Sequence, residues 1–172
     1  MNRTDKRRLH IDYDVEYIED FIIPALLSIP ENPKKHKVSG YLAYVNRENG
    51  KMLSQMEAGE CPVRKAEKYQ KHCLEKAKYL FEHKYYVLSY QSPREVKETH
   101  EENEARNKKR SGAVAIPEMD LIVSFAGIEG SLDEAIVLVL CTHRGLLKYE
   151  RAKEIAQISK NKYYLNYLAH GA

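Results

Sequence analysis

Apolar positions along the chain recur with two distinct periods. Over residues 13–27, Val15, Ile18, Ile22, Ile23 and Leu26 fall close to the i, i+3, i+4, i+7 stripe of an amphipathic helix. Pro24 sits inside that stripe. It has no N–H to donate and its ring crowds the preceding turn, so the helix is expected to kink or end there. Residues 30–37, with two prolines and three lysines, read as a linker. The short apolar runs 38–45 and 52–56 flank Asn46-Arg47-Glu48-Asn49-Gly50-Lys51. Asn-Gly tolerates positive φ, so these runs predict an antiparallel hairpin.

The helical period returns after Gly59. Pro62 at a first helical position opens a segment to about Glu82, with Ala66, Tyr69, Cys73, Ala77 and Leu80 at helical spacing. Residues 85–90 are rich in β-formers and predict a short strand or turn. Ser92-Pro93-Arg94-Glu95 has the spacing of a capping box, which places a helix start there. The charge run 94–110 that follows has almost no apolar face and suits a solvated helix or mobile loop, with its basic end, Lys108-Lys109-Arg110, able to attract phosphate or carboxylate as the less favoured reading. Runs 113–116 and 121–126 around Pro117-Glu118-Met119-Asp120 predict a second hairpin. Ser131-Leu132-Asp133-Glu134 resembles a further capping box ahead of a buried apolar helix, 135–140, closed by Gly145. Residues 150–168 read as one polar helical tail, with Ile155, Ile158, Tyr164, Leu165 and Leu168 near one stripe suited to docking or oligomer contact. The order helix, hairpin, helix, charged loop, hairpin, helix, helix defines an α/β (α+β) chain forming a single domain over residues 1–172.

Composition narrows the class. At 43% hydrophobic and 31% charged the chain is too apolar for disorder and too polar for a membrane protein. Its longest apolar stretches, 21–29 and 135–141, fall short of the roughly 20 residues a spanning helix needs. Asp12, Asp14, Glu16, Glu19 and Asp20 interrupt the basic start before a signal-peptide core can form, so a cytoplasmic protein is expected. Cys61, Cys73 and Cys141, odd in number and without paired spacing, suit reduced thiols. A net charge of +3, from 28 basic and 25 acidic side chains, disfavours a dedicated nucleic-acid binder. The basic clusters 3–8 and Lys108-Lys109-Arg110, with tyrosines nearby, keep base stacking as a minor reading.

No dinucleotide, phosphate-loop, zinc-protease or nucleophile-elbow motif is present in the sequence. The seven histidines, His10, His36, His72, His83, His100, His143 and His170, lie too far apart for a metal site on one helix turn, so no metal is expected. His72 and Cys73 point to neighbouring helix faces. Tyr79, Phe81, Tyr85, Tyr86 and Tyr90 gather the aromatic side chains at the end of the central helix, where they can line a flat apolar pocket or form core or interface. Lys76 and His83, seven residues apart, share a face if the helix runs unbroken. There they either grip an anionic ligand or stand as two exposed polar residues.

Residues 38–56 with their Asn-Arg-Glu-Asn-Gly turn, Lys76-Ala77 leading to Phe81 and His83, Ser111-Gly112-Ala113-Val114-Ala115-Ile116, and Ser124-Phe125-Ala126-Gly127-Ile128 before Asp133-Glu134 carry a likeness to a known family. Over residues 38–145 the chain resembles the GlcG/HbpS-like haem-degrading domain family, and most of all its small cytosolic branch. The resemblance implies a profilin-like α-β-β-α-β-β-α sandwich with a ligand cavity bordered by Lys76 and Gly112, with His83 matching a histidine of that branch. Arg110-Ser111-Gly112 stands where the family has a glycine pair, and the charge run and the C-terminal helix are further departures. What the resemblance implies is a binder of a small molecule, haem or another anionic or aromatic compound; a homo-oligomer is expected separately, from the apolar stripe of the C-terminal tail. The alternative is an interaction or scaffold protein acting through its charged loop and C-terminal helix.

Overall fold

The computed structural model describes residues 10–35, 38–127 and 129–171. The basic cluster 3–8, His36 with the end of the expected linker, and Ile128 lie outside the described residues. Both expected hairpins are present. β1 (Gly40–Asn46) pairs with β2 (Met52–Ala58), and β3 (Ala113–Ile116) pairs with β4 (Leu121–Ala126). They join through antiparallel β1–β4 pairing, Tyr41 opposite Ala126 and Asn46 opposite Leu121, to give a four-stranded sheet in the order β2-β1-β4-β3.

The period of two along each strand sorts its side chains onto two buried faces. Leu42, Tyr44, Val114, Ile116, Val123 and Phe125 belong to a core shared with α1 (Ile11–Tyr17), α5 (Gly130–His143) and α7 (Lys162–Ala169). Tyr41, Ala43, Val45, Ala113, Ala115 and Ile122 pack instead with Cys73, Ala77 and Leu80 of α3 (Val63–Glu82). The sheet is thus sandwiched between helices, the α+β class expected from the pattern. Asp14 pins α1 to the sheet. It is buried, accepts from the Tyr44 hydroxyl at 2.5 Å and pairs with Arg144 Nε at 3.1 Å.

The first helix runs on past Tyr17 through a π-type turn, Ile18–Ile22, into α2 (Ile23–Ser28). Pro24 is the cause: its nitrogen cannot donate to the preceding turn, which widens rather than breaks. Residues 85–90 are a turn rather than a strand, with a single bridge from Leu88 to Val114 on the outer side of β3.

Three expected boundaries are corrected. The charged helix α4 (His100–Arg110) starts at Thr99, not Ser92. The Thr99 hydroxyl accepts from Glu102 N–H at 3.1 Å and donates to the Glu102 carboxylate at 3.2 Å, which makes Thr99 the N-cap. Arg94 and Glu98 are drawn into a turn by Arg94 Nε donating to the Glu98 carbonyl at 3.0 Å. At the start of α5, Ser131 is no cap, because the helix already begins at Gly130 after Glu129. Glu134 turns into the interior instead of back to the helix end. The C-terminal tail is two helices, α6 (Tyr149–Ser159) and α7, broken where Lys160 takes φ +53° and Asn161 caps α7 by accepting from Tyr164 N–H at 3.1 Å. Ala152, Ile155, Ala156, Tyr163 and Tyr164 are buried in the main core, so much of the tail's apolar stripe docks within the chain itself.

Candidate functional site

α3 and α4 enclose an open cleft of about 400 Å³. His72, Glu75, Lys76 and Tyr79 line it from α3, and Arg106, Lys109 and Arg110 from α4. Both sets follow helical spacing, i, i+3, i+4, i+7 on α3 and i, i+3, i+4 on α4, so each helix presents one face to the cleft. Ser89 lies between them, its hydroxyl donating to the Arg110 carbonyl at 2.6 Å and accepting from Ala113 N–H at 3.0 Å. That pair of bonds ties the C-terminal end of α4 to the outer strand of the sheet.

Lys76 closes the inner wall. Its ammonium is buried and donates to Asp133 Oδ2 at 3.0 Å and to the Phe125 carbonyl at 3.1 Å. Asp133 Oδ2 also accepts from Gly127 N–H at 3.3 Å. Gly112, at φ +133°, is packed against this group. A Cβ there would lie 2.4 Å from the Phe125 carbonyl oxygen and 2.7 Å from Lys76 Nζ, so only glycine lets the pair close. The structure therefore brings Lys76 and Gly112 together, although Gly112 shapes the wall rather than lining the cleft.

His83 does not join them. α3 ends at Glu82, and His83 leaves the helix at φ −126° with Nδ1 2.8 Å from the Tyr79 carbonyl. Its ring stacks on Tyr79 with centroids 4.4 Å apart, and the shared helix face expected from the seven-residue spacing is absent. Of the two alternatives for Lys76, burial removes the one in which it stands as an exposed polar residue. The aromatic cluster divides: Tyr79 reaches the cleft, Tyr85 and Tyr86 continue outward from it, and Tyr90 packs towards the main core.

The cations differ in what already neutralises them. Lys76 is matched by Asp133. Arg106 lies 3.1 Å from Glu95 and 2.9 Å from Glu98, and its other nitrogen donates to the Pro93 carbonyl and to Asn103. Glu75 faces Lys71 across 3.9 Å. Lys109 and Arg110 are exposed and have no carboxylate at ion-pair distance among the described residues. The Arg110 guanidinium sits 5.6 Å from the Tyr79 ring centre and donates to the Ser92 hydroxyl at 3.3 Å. Burial raises the Tyr79 hydroxyl above the ordinary tyrosine range, against a downward pull from Arg110, and that hydroxyl donates to the Gln91 carbonyl at 2.8 Å. The arrangement offers two uncompensated cations beside an aromatic ring, which is chemistry for holding an anion.

The described residues that line the cleft are charged, polar or aromatic, with no aliphatic side chain among them, a lining suited to a small polar anion more than to a macrocycle such as haem, which needs apolar surface on both faces. Among the described residues no group of His, Cys, Asp and Glu is placed to hold a metal ion, and no helix is long and apolar enough to cross a membrane.

Behind the cleft wall lies a second polar centre that sequence reasoning missed. Glu134 is fully buried on α5, its Oε2 accepting from Ser159 Oγ at 2.5 Å and from Asn161 Nδ2 at 2.6 Å, while Oε1 has no hydrogen-bond partner among the described residues. Burial pushes its carboxyl up to about 7, against the downward pull of those two donors and of Lys76. No family model, curated protein or solved structure matches the chain.

Proposed function

We propose that the protein binds a small anionic ligand, a phosphorylated or carboxylated compound, in the cleft between α3 and α4. One observation carries this reading: Lys109 and Arg110 face a cleft whose other cations are already paired within the chain. Two positive charges without partners repel one another, and an anion bridging them removes that cost. The buried Lys76–Asp133 pair makes the wall rigid, so the site is formed before ligand arrives. The two-hairpin sheet with helices on both faces supports a profilin-like sandwich of the GlcG/HbpS-like kind, with the ligand class moved from haem to a more polar anion.

The test is calorimetric titration of the purified protein with inorganic pyrophosphate at low salt. Wild type gives saturable heat, and the Lys109→Ala/Arg110→Ala protein gives none while keeping its circular dichroism spectrum. Equal binding by both proteins, or none by wild type, refutes the reading.

A further inference from the structure

We infer that the anion cleft is the inner end of a longer track that holds single-stranded nucleic acid, an inference that rests on the anion-binding reading of the same cleft. The row that lines the cleft on α3 does not stop at its mouth. Lys65 and Lys68 continue the spacing of His72, Glu75, Lys76 and Tyr79 towards the N-terminal end of the helix, so they fall on the same face, where Glu75 is met by Lys71 at 3.9 Å and Lys76 by Asp133. Both are exposed, and neither has a carboxylate at ion-pair distance among the described residues. From Lys65 to Tyr79 the row spans about 21 Å at the rise of an α-helix, far more than one small anion occupies. Lys109 and Arg110 face the row's inner end from α4.

At that inner end the cations give way to rings. Tyr79 carries His83 at 4.4 Å and Tyr86 at 6.2 Å, and Tyr86 carries Tyr85 at 4.3 Å. Tyr85 is 74% exposed, a large ring presented to solvent with no core to fill. Cations that follow a phosphate backbone, here Lys65 and Lys68 with Lys109 and Arg110, beside an aromatic cluster whose exposed ring, Tyr85, takes a base face, are the chemistry by which single strands are held without regard to sequence. A duplex keeps its bases stacked inside and has nothing to offer these rings. This reading also gives work to the tyrosine cluster and to His83, which a small anion leaves unused.

The experiment is fluorescence anisotropy of the full chain with a labelled twelve-nucleotide uridine strand, its thymidine counterpart and a duplex of the same length. The expected result is saturable binding of the single strands, weaker binding of the duplex, and a slope of log K against log salt of about −3, four contacts at Lys65, Lys68, Lys109 and Arg110 each contributing the single-strand increment. The two strands tell RNA from DNA by which binds tighter. Lys65→Glu/Lys68→Glu cuts the slope to about half or less and the affinity at least roughly tenfold, yet leaves pyrophosphate binding intact because neither residue lines the cleft. Tyr85→Ala weakens strand binding about fivefold or more. Pyrophosphate binding without strand binding overturns this inference alone, as does a duplex bound as tightly as the strand or a Lys65/Lys68 variant indistinguishable from wild type. Failure of both pyrophosphate and strand to bind overturns the cleft reading and this one with it.

Discussion

Glu134→Gln separates the cost of a buried carboxylate from everything else that titrates in the fold. In the native state the carboxyl is fully buried and pushed up to about 7, while its ordinary value is 4.5. A raised carboxyl favours the folded state when protonated, so its contribution is complete below about 4.5 and is lost as pH climbs towards 7. Each tenfold change in proton affinity is worth about 1.4 kcal/mol, so the full loss across that window is on the order of 3 kcal/mol. The amide that replaces the carboxyl keeps an oxygen for Ser159 and Asn161 and has no charge to desolvate. The chain has no tryptophan, so urea unfolding is followed by far-ultraviolet circular dichroism at pH 5, 6, 7 and 8. The stability difference, variant minus wild type, rises by roughly 2.5 kcal/mol between pH 5 and pH 8 and is nearly flat above about 7.5. Taking the difference cancels the histidines and other carboxylates that both proteins share. A difference that does not change with pH refutes the assignment of a protonated, buried Glu134.

Lys76→Ala strands Asp133 in the interior and lowers stability by about 3–5 kcal/mol, whereas Lys76→Met with Asp133→Leu recovers most of it; urea titration of the three proteins checks both. Gly112→Ala places a methyl 2.4 Å from the Phe125 carbonyl oxygen, and thermal unfolding is expected to fall by several degrees. Thr99→Ala removes the α4 cap at a cost of about 1 kcal/mol, where Ser92→Ala leaves the helix unchanged, and helix content by circular dichroism with urea unfolding tells them apart.

Local signals served the elements well and the site poorly. Both hairpins, α3 and the apolar helix α5 were legible because their side-chain periods and turn residues act over a few positions. The start of α4 was misplaced because two sequences with capping-box chemistry, at Ser92 and Thr99, lie seven residues apart, and which one caps is decided by Arg94 and Arg106 folding the intervening turn. The break at Lys160 had only Asn161 to announce it, and the long-range bond from Asn161 to Glu134 settles it. Lys76 was found but its environment was not, since Asp133 reaches it from across the sheet edge. His83 shares the Lys76 face only if the helix runs one residue past its expected end at about Glu82, and it does not, since α3 stops there. The cleft itself had a readable trace, the i, i+3, i+4 spacing of Arg106, Lys109 and Arg110, within a charge run whose basic end could attract an anion but whose mixed signs favour a solvated face.

The pairing of β1 with β4 sets an order on folding. Each hairpin can form from neighbours in the chain, but Tyr41 meets Ala126 only after the whole stretch carrying α3 and α4 has been looped out between them. The inner wall draws on both sides of that closure, with Lys76 from inside the loop and Phe125 and Asp133 from its far end. The completed cleft therefore exists only in molecules that have finished the slow, long-range step. A ligand that fills it acts on the native state alone, slowing unfolding without hastening the search that precedes it.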